Sequence, residues 1–387
     1  MTTTKNNEHK KLNVPNLRFP EFQGEWKRTI FKNVITLQRG SSPRPIIEYV
    51  TTSDDGVNWI KIGDMPHFGR IVTSTEEKIT KEGAKKSRQV NKGDLILSNS
   101  MSYGLPYIMG IDGYFHDGWF VLKNFENTFD KDYLCNLLIS SAIQNQYKRL
   151  AAGGVVQNIS SDLVNSVSVS IPTMMEQKKI SSLLNLIDER IATQNKIIED
   201  LKKLKSAISH ILFSSKGAIH LSEIANVVMG QSPSSNAYND QGLGMPLVQG
   251  NLDISNGKTT PRLYTAEFNQ TTEKGNIILT VRAPVGEVAK ATQKVCLGRG
   301  VCAIIPHEEN MSDFIYQYLT FYKFMWRRYE QGSTFTSING SDVRNIFCPK
   351  VRNVSILTLL DIKINIEERV VKQYQSQKQY MLYQMFI

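Results

Sequence analysis

The sequence predicts an α/β (α+β) fold in which two similar globular domains are each followed by a long helix. The first observation is an internal repeat that runs through most of the 387 residues. The second is that each copy ends in apolar residues at coiled-coil spacing. The third is that short β-rich runs, such as Leu95-Ile-Leu97, alternate with glycine-marked turns in both globular parts.

The repeat keeps its register from one end of each copy to the other. Gly40-Ser-Ser-Pro43 returns as Gly230-Gln-Ser-Pro233, and Lys92-Gly-Asp-Leu-Ile-Leu-Ser98 returns as Lys274-Gly-Asn-Ile-Ile-Leu-Thr280. The offset between the copies drifts only from 190 to 179, so insertions and deletions between them are small. Such a repeat indicates a duplicated domain rather than a solenoid of short units. A duplicated domain with a helical spacer favours a protein that binds two similar ligands or sites at a fixed distance from each other.

Composition changes divide the chain into five predicted segments. They are a polar tail and Pro-punctuated lead-in at 1–25, a first domain at 26–172, a first spacer helix at 173–213, a second domain at 214–350 and a second spacer helix at 351–387. Thr173 can cap the first helix, and Glu176 lies at the position that completes a capping box.

A heptad seam runs along the first spacer helix. Its apolar positions are Ile180, Leu184, Ile187, Ile191, Ile198, Leu201, Ile208 and Leu212, with Gln194 and Lys205 between them. The second helix carries a weaker stripe at Leu359, Ile362, Ile366, Val370, Tyr374, Met381 and Met385. A helix roughly 60 Å long is not stable alone in water. We therefore expect the two helices to pack as an antiparallel coiled coil, with the globular domains at opposite ends and a pseudo-twofold axis.

Charge and composition favour a nucleic-acid partner. The net charge is +10 and the pI is about 9.2, which suits a polyanion. There is no run of 18 apolar residues, and the polar start lacks the apolar segment of a signal peptide. The four cysteines form no CxxC pair, so we expect reduced core thiols in a cytoplasmic protein and no structural zinc.

Known catalytic motifs are missing from the sequence. The segment from Gly250 to Thr259 ends in Gly-Lys-Thr, but its first glycine is misplaced for a P-loop, and a strand-turn-strand is expected. No Asn- or Asp-Pro-Pro loop, HExxH, GxSxG or zinc-deaminase signature occurs. Glu76-Glu-Lys78 is typical of a charged turn rather than a metal site. We therefore expect no catalytic residue, metal site or cofactor of its own in this chain.

The candidate DNA-binding residues lie in loops where the two copies keep the frame but differ in side chains. Arginine can bind a guanine edge, asparagine or glutamine an adenine edge, and serine a phosphate. The alternative is that these are ordinary polar turns. The candidates are Ser41, Ser42, Arg44, Asn99, Ser100, Ser102 and Tyr103 in the first copy, and Gln231, Ser232, Ser234, Asn236 and Arg282 in the second. For two further glycine-containing segments, 153–157 and 332–336, the sequence leaves two expectations open, DNA-facing flaps or hinges.

Taken together, these motifs resemble those of the specificity subunits of type I restriction-modification systems. The resemblance is carried by the repeated Gly-x-Ser-Pro, by Lys-Gly-Asp/Asn in each domain and by Ile171-Pro-Thr-Met-Met-Glu-Gln-Lys-Lys-Ile180. Asp188-Glu-Arg-Ile191 and the opening Asn-Val-Pro-x-Leu-Arg-Phe-Pro-x-Phe also look like that family. One departure is Cys348-Pro-Lys-Val-Arg-Asn-Val-Ser355, which replaces the Pro-x-x-x-Glu-Gln entry to the second helix.

The resemblance implies a non-catalytic subunit that recognises a bipartite target in double-stranded DNA. Each globular domain would be a target-recognition domain for one half of the site. The helices would act as a ruler and would dock two methyltransferase subunits, through which restriction subunits join. S-adenosylmethionine, ATP and Mg²⁺ would belong to those partners.

Two other functions remain open on the sequence alone. One is a DNA-binding regulator that acts by itself. The other is an enzyme with a pseudo-dimeric active site, which would need polar residues mirrored in both copies. The mirrored polar pairs lie beside turns or helix starts, where capping explains them. These pairs are Lys92 with Lys274, Asp132 with Asp313, and Asp162 with Asp342.

Overall fold

The duplication predicted by the sequence gives two structural units. The computed structural model describes residues 12–66, 69–99, 104–151, 159–214, 218–328, 337–350 and 353–387. The first unit consists of Met1–Lys196 with Arg369–Ile387, and the second unit of Ile197–Glu368. Each unit therefore contains one globular domain, part of the first long helix and part of the second.

The first domain is mainly β-structure with four short helices. Its strands are β1 (Lys27–Ile30), β2 (Thr36–Arg39), β3 (Val50–Thr51), β4 (Val57–Ile60), β5 (Ile71–Val72), β6 (Glu77–Ile79), β7 (Arg88–Val90), β8 (Leu95–Ser98), β9 (Pro106–Met109), β10 (Gly113–Phe115), β11 (Trp119–Lys123) and β12 (Ser168–Ile171). Its helices are α1 (Lys81–Lys85), α2 (Lys131–Ile139), α3 (Ser141–Ala151) and α4 (Ser161–Ser166). The long helix α5 (Met174–Phe213) follows.

The second domain repeats this composition. Its strands are β13 (Ala218–His220), β14 (Ala225–Met229), β15 (Tyr238–Asn239), β16 (Met245–Val248), β17 (Ile254–Ser255), β18 (Lys258–Thr259), β19 (Leu263–Thr265), β20 (Thr271–Thr272), β21 (Ile277–Thr280), β22 (Val288–Lys290), β23 (Val295–Leu297), β24 (Val301–Pro306) and β25 (Phe347–Pro349). Its helices are α6 (Leu221–Ile224), α7 (Ser312–Tyr322) and α8 (Gly340–Arg344), and the long helix α9 (Ser355–Gln384) follows.

The sheets of the two domains have corresponding strand orders, except that one sheet of the second domain carries an additional edge strand, β17. In the first domain they run β2-β11-β8-β9-β5 and β3-β6-β4-β10-β7, and in the second β14-β24-β21-β22-β18-β17 and β15-β19-β16-β23-β20. In both domains, antiparallel pairing is interrupted at corresponding places by parallel pairs, β4 with β10 and β16 with β23. A third, two-stranded sheet joins the first and last strands of each domain, β1-β12 and β13-β25. The repeat in the sequence is therefore a repeat of topology.

The Gly-Lys-Thr segment forms a hairpin, as predicted. Strands β17 and β18 pair antiparallel across Asn256 and Gly257, both of which have positive φ. This geometry is that of a tight turn between strands rather than of a phosphate loop.

One predicted helix is divided in the structure. Apolar residues that recur at three- and four-residue spacing predict a single helix over 132–150. In the structure, α2 and α3 are separated at Ser140, whose backbone is extended. Ser140 is buried, and its hydroxyl donates to the Leu137 carbonyl at 2.6 Å. The side chain thus satisfies a carbonyl at the end of α2, which stabilises the break.

The two long helices are antiparallel within each unit. In the first unit, Ile180 and Leu184 near the start of α5 share a core with Leu382 and Met385 near the end of α9. In the second unit, Lys202 pairs with Glu368 at 2.8 Å and Lys205 with Asp361 at 2.5 Å. Residue numbers therefore rise along α5 as they fall along α9, which agrees with the predicted antiparallel coiled coil.

The buried face of α5 coincides with the apolar heptad positions predicted from the sequence. Ile180, Leu184, Ile187 and Ile198 are buried. The other predicted positions are half-buried, namely Ile191, Gln194, Leu201, Lys205, Ile208 and Leu212. The apolar period of this helix therefore matches its packing.

The seam of α9 differs from the predicted stripe over its first half. Leu359, Ile362 and Ile366 are exposed, and Val370 is only half-buried. The buried residues of the helix are instead Leu357, Ile364, Glu367, Val371 and Leu382, whereas the predicted Met385 is buried as expected. Polar residues take seam positions because they have partners there, as Asp361 pairs with Lys205 and Lys378 with Asp188. An apolar pattern alone gives the wrong register for such a helix.

Each long helix ends with a phenylalanine in a domain core. Phe386, two residues beyond α9, stacks on Tyr133 of α2 with ring centroids 5.3 Å apart. Phe213, the last residue of α5, meets Tyr318 of α7 edge-on, also at 5.3 Å. The aromatic contacts fix where each helix end enters its domain.

Among the described residues, no helix combines the length and the apolar character needed to cross a membrane.

Candidate nucleic-acid interface

Three turns of the first domain meet at one end of its sheets. They are the turn after β2 (40–44), the residue after β8 (Asn99) and the turn between β10 and β11 (116–118). The amide of Gly40 donates to the Trp119 carbonyl at 2.9 Å, and the amide of Asn99 donates to the Gly118 carbonyl at 3.0 Å. Backbone hydrogen bonds therefore bring together loops that lie far apart in the sequence.

The repeated glycine of Gly-x-Ser-Pro is required by the close approach of these turns. A Cβ atom on Gly40 would lie 1.9 Å from the His116 carbonyl oxygen. A Cβ atom on Gly230 would lie 2.1 Å from the Gly298 carbonyl oxygen. Both contacts are with backbone, which cannot rotate away as a side chain can. The motif therefore marks the same crossing of two turns in each domain.

Asp117 is the centre of the first cluster. Its Oδ1 accepts from the Ser42 hydroxyl at 3.2 Å, and its Oδ2 lies 3.5 Å from a guanidinium nitrogen of Arg44. The side chain of Arg44 is 82% exposed, so this ion pair is loose. Ser41 is half-buried, and its hydroxyl donates to the Lys86 carbonyl at 3.2 Å.

Asn99 has a supporting place in this cluster. It is only 4% exposed, and its amide donates to the Asp117 carbonyl at 2.7 Å. This hydrogen bond holds the 116–118 turn, and contact of Asn99 with DNA stays a prediction. The other candidates from this loop, Ser100, Ser102 and Tyr103, lie outside the described residues, as do the segments 153–157 and 332–336.

The neighbouring His116 is held as a neutral imidazole. Its Nδ1 accepts from the Gly118 amide at 2.9 Å, which requires an unprotonated Nδ1. Burial lowers the pKa of His116, while the Asp117 carboxylate acts in the opposite direction. The imidazole therefore braces the turn that carries Asp117.

The corresponding turns of the second domain form a basic cleft. Its volume is about 350 Å³, and its polar lining includes Ser232, Gln249, Asp253, Arg262, Arg282 and Arg299. Asp253 is buried and accepts from Arg262 Nε at 3.0 Å and from the Gln249 amide at 2.9 Å. Three guanidinium groups and one carboxylate leave the cleft with an excess of positive charge, which suits an anionic ligand.

Two predicted residues line this cleft. Arg282 is exposed, and the Ser232 hydroxyl accepts from the Arg299 amide at 3.0 Å. The other three candidates are exposed in the turn after β14: Gln231, whose backbone amide donates to the Leu297 carbonyl, and Ser234 and Asn236. The structure thus gathers the described candidates of each domain around one cluster of turns.

The sequence-based prediction missed the turn between β10 and β11 in the first domain and the equivalent turn between β23 and β24 in the second. Asp117 and Arg299 lie there, in His116-Asp-Gly118 and Gly298-Arg-Gly300. The signal was available, because this turn also keeps its frame and changes its side chains between the copies. Arg262 could not be found in this way, since only the fold brings it to the cleft.

Comparisons with known proteins agree with this duplicated architecture. The chain matches the family described as the type I restriction modification DNA specificity domain over residues 24–203 and again over 217–373. A relative from Methanocaldococcus jannaschii, the MjaX specificity subunit of a type I restriction enzyme, is 31% identical over 252 residues, which cover 59% of each chain. The MjaVIII specificity subunit from the same organism is 26% identical over 51% of this chain and 47% of its own. The aligned part thus spans about half to three-fifths of the length of these relatives.

Two solved structures share the fold. One is a chain of a type I R-M system studied for complex assembly and conformational transition, with a TM-score of 0.63 and 21% identity over 92% of this chain and 96% of its own. The other is the S subunit of a type I restriction-modification system from M. genitalium, with a TM-score of 0.59 and 18% identity over 97% and 99% of the two chains. With the family matched once in each domain, the chain belongs to the type I restriction-modification DNA specificity family.

Proposed function

We propose that this chain is a non-catalytic subunit that gives a type I restriction-modification complex its DNA sequence specificity. The observation that carries the proposal is that one cluster of turns is built twice on the same frame with different side chains. The shared arrangement of turns would let both domains contact the sugar-phosphate backbone of DNA in the same way, while the different side chains would contact different bases. The chain would work in the cytoplasm.

The target would be bipartite, with one half-site for each domain. Exchanging residues 26–172 for the equivalent domain of a relative should therefore change one half of the methylated sequence and leave the other unchanged. Methylome sequencing of cells with and without the exchanged gene measures both halves at once. A change in both halves would contradict independent recognition by the two domains.

The long helices would hold the partner subunits. We propose that they dock two methyltransferase subunits and, through them, restriction subunits. The exposed apolar residues Leu359, Ile362 and Ile366 on α9 support this, because they leave part of the helix uncovered within this chain. S-adenosylmethionine, ATP and Mg²⁺ would be bound by those partners.

The catalytic steps would likewise belong to the partners. Highly purified chain should show no methyltransferase, nuclease or ATPase activity, and activity should appear when the partner subunits are added. Turnover that persists in the isolated chain through successive purification steps would support the pseudo-dimeric enzyme instead. Sequence-specific binding and gene regulation by the chain without any partner would support a stand-alone regulator.

A further inference from the structure

Asp117 and Arg299 occupy the same place in the repeated frame. Ile60 is paired with Phe115 in the first domain, and Val248 with Leu297 in the second, between corresponding parallel strands. Two residues beyond Phe115 is Asp117, and two residues beyond Leu297 is Arg299. The duplication has therefore placed a carboxylate and a guanidinium at equivalent positions.

The surroundings of the two residues confirm the equivalence. The glycine after each residue offers its carbonyl to the residue that follows the central strand, as Asn99 donates to Gly118 at 3.0 Å and Val281 to Gly300 at 2.9 Å. The serine of each Gly-x-Ser-Pro motif contacts the same turn. Ser42 donates to the Asp117 carboxylate, and Ser232 accepts from the Arg299 amide. The frame is conserved between the domains while the charge is reversed.

Both side chains are accessible to a ligand. The side chain of Asp117 is 44% exposed, and its ion pair with Arg44 is a loose one. Arg299 is exposed in the basic cleft and makes no ion pair with any other described residue. Neither residue is needed to neutralise a buried charge in its own domain.

The charge reversal has a direct meaning for base recognition. Arginine donates two hydrogen bonds to O6 and N7 of guanine, whereas aspartate accepts from the N4 amino group of cytosine. A carboxylate is repelled by phosphates, so on a DNA-binding surface its favourable partner is a base amino group. The polyanion explains the arginine in either case, but it does not explain the aspartate.

We propose that Asp117 and Arg299 are specificity-determining residues of opposite hydrogen-bonding polarity. Arg299 reads a guanine in the half-site of the second domain, and Asp117 reads a cytosine in the half-site of the first. This inference rests on the proposed function. It adds to it the residue and the base class at one position of each half-site.

The test uses the complete complex, with the methylated sequence as its readout. Arg299→Ala should reduce discrimination at a single base pair of one half-site by about 5- to 150-fold, the range expected for one bidentate contact. Arg299→Lys should retain part of it, because lysine can still donate to guanine. Asp117→Ala should relax one position of the other half-site, and Asp117→Arg should give that position a preference for guanine.

Charge-matched variants separate base reading from general electrostatics. Lys294→Ala removes a positive charge that pairs with Glu273, and Asp55→Ala removes a carboxylate that pairs with Lys81. Both variants should leave the methylated sequence unchanged. The half-site of the unmutated domain reports in each case that the complex is folded and active.

The outcomes distinguish this inference from the proposed function. Active Asp117 and Arg299 variants that keep the original base preferences would overturn the inference alone. It would also be overturned if Arg44→Ala relaxed the same base as Asp117→Ala, because Asp117 would then act by positioning Arg44. A methylated sequence that stayed the same when the whole chain was removed or replaced would overturn the proposed function itself.

Discussion

Lys378 of α9 and Asp188 of α5 form an ion pair between two long helices, with Lys378 Nζ 2.5 Å from Oδ1 and 2.7 Å from Oδ2. Arg70 reaches the same carboxylate at 3.0 Å and also donates to the side-chain oxygen of Asn136 at 3.0 Å. Burial lowers the pKa of Lys378 in spite of this pairing. One carboxylate therefore compensates two largely buried cations.

Asp188→Asn should be strongly destabilising because it leaves Arg70 and Lys378 without a counter-charge. We expect the free energy of unfolding to fall by about 2–4 kcal/mol, less than for a fully buried pair because the Asp188 side chain is 33% exposed. The matched control is Glu199→Gln, which disrupts the exposed pair of Glu199 with Lys203 on the same helix. That change should cost about 0.5 kcal/mol or less. Urea denaturation followed by circular dichroism measures both, and equal effects would contradict a structural role for Asp188.

Glu176 should contribute more to stability than the helix cap of which it was predicted to be part. Thr173 does accept from the Glu176 amide at 3.3 Å, but the Glu176 carboxylate is buried against Arg18 at 2.8 Å and Trp26 at 3.2 Å. Glu176→Ala should therefore lower the free energy of unfolding by about 3 kcal/mol. Thr173→Ala should lower it by about 1 kcal/mol. Thermal denaturation of the two variants compares them, and the reverse order would favour the simple capping box.

These residues show which parts of the structure could be predicted from the sequence. The two domains and the seam of α5 follow from local periodicity and from the repeat, so they could be read directly. The seam of α9 could not, because Asp361 and Lys378 take seam positions through partners more than 150 residues away. Likewise, the supporting role of Asn99 could not be predicted, because only the fold brings the Asp117 carbonyl to its side chain.

Gly40→Ala should disrupt the first cluster of turns. The added Cβ would meet the His116 carbonyl at 1.9 Å, and backbone would have to move. We expect a loss of about 2 kcal/mol or more in stability and loss of one half-site only. Gly63→Ala is the control, since a Cβ there would meet nothing within 4 Å. Methylome sequencing and thermal denaturation would show the difference, and a tolerated Gly40→Ala would contradict the close crossing of the two turns.

Recognition by the first domain should weaken at acid pH. The pKa of His116 is lowered below its usual 6.5 by burial, so the folded state favours the neutral imidazole. As the pH falls through 6.5, His116 takes up a proton in the unfolded chain before it does so in the folded chain. The folded state therefore loses stability between pH 6.5 and the lower pKa of His116 in the folded domain. Protonation also removes the acceptor of the Gly118 amide. DNA binding measured from pH 7.5 to 5 should decline at the first half-site. In His116→Gln this decline should be smaller. An equal decline in the variant would show that another group causes the pH dependence.

The length of the paired helices should set the gap between the half-sites. Near the middle of α5, Thr193 lies at about the level of Gln373 of α9, as the Asp188–Lys378 pair and the antiparallel direction indicate. An insertion in one helix alone would therefore shift one set of ion pairs out of register. Four residues inserted after both positions would lengthen each helix by roughly 6 Å and nearly restore its face, at 1.5 Å and about 100° per residue.

This matched insertion should keep both half-sites and lengthen the gap by one or two base pairs, since B-DNA rises about 3.4 Å per base pair. Two residues inserted at the same positions would rotate each apolar face by about 200° and should abolish assembly. Four residues after Thr193 alone should also impair assembly, because α9 would no longer match α5. Methylome sequencing reports the gap directly. An active complex with the matched four-residue insertion and an unchanged gap would show that these helices do not determine the spacing.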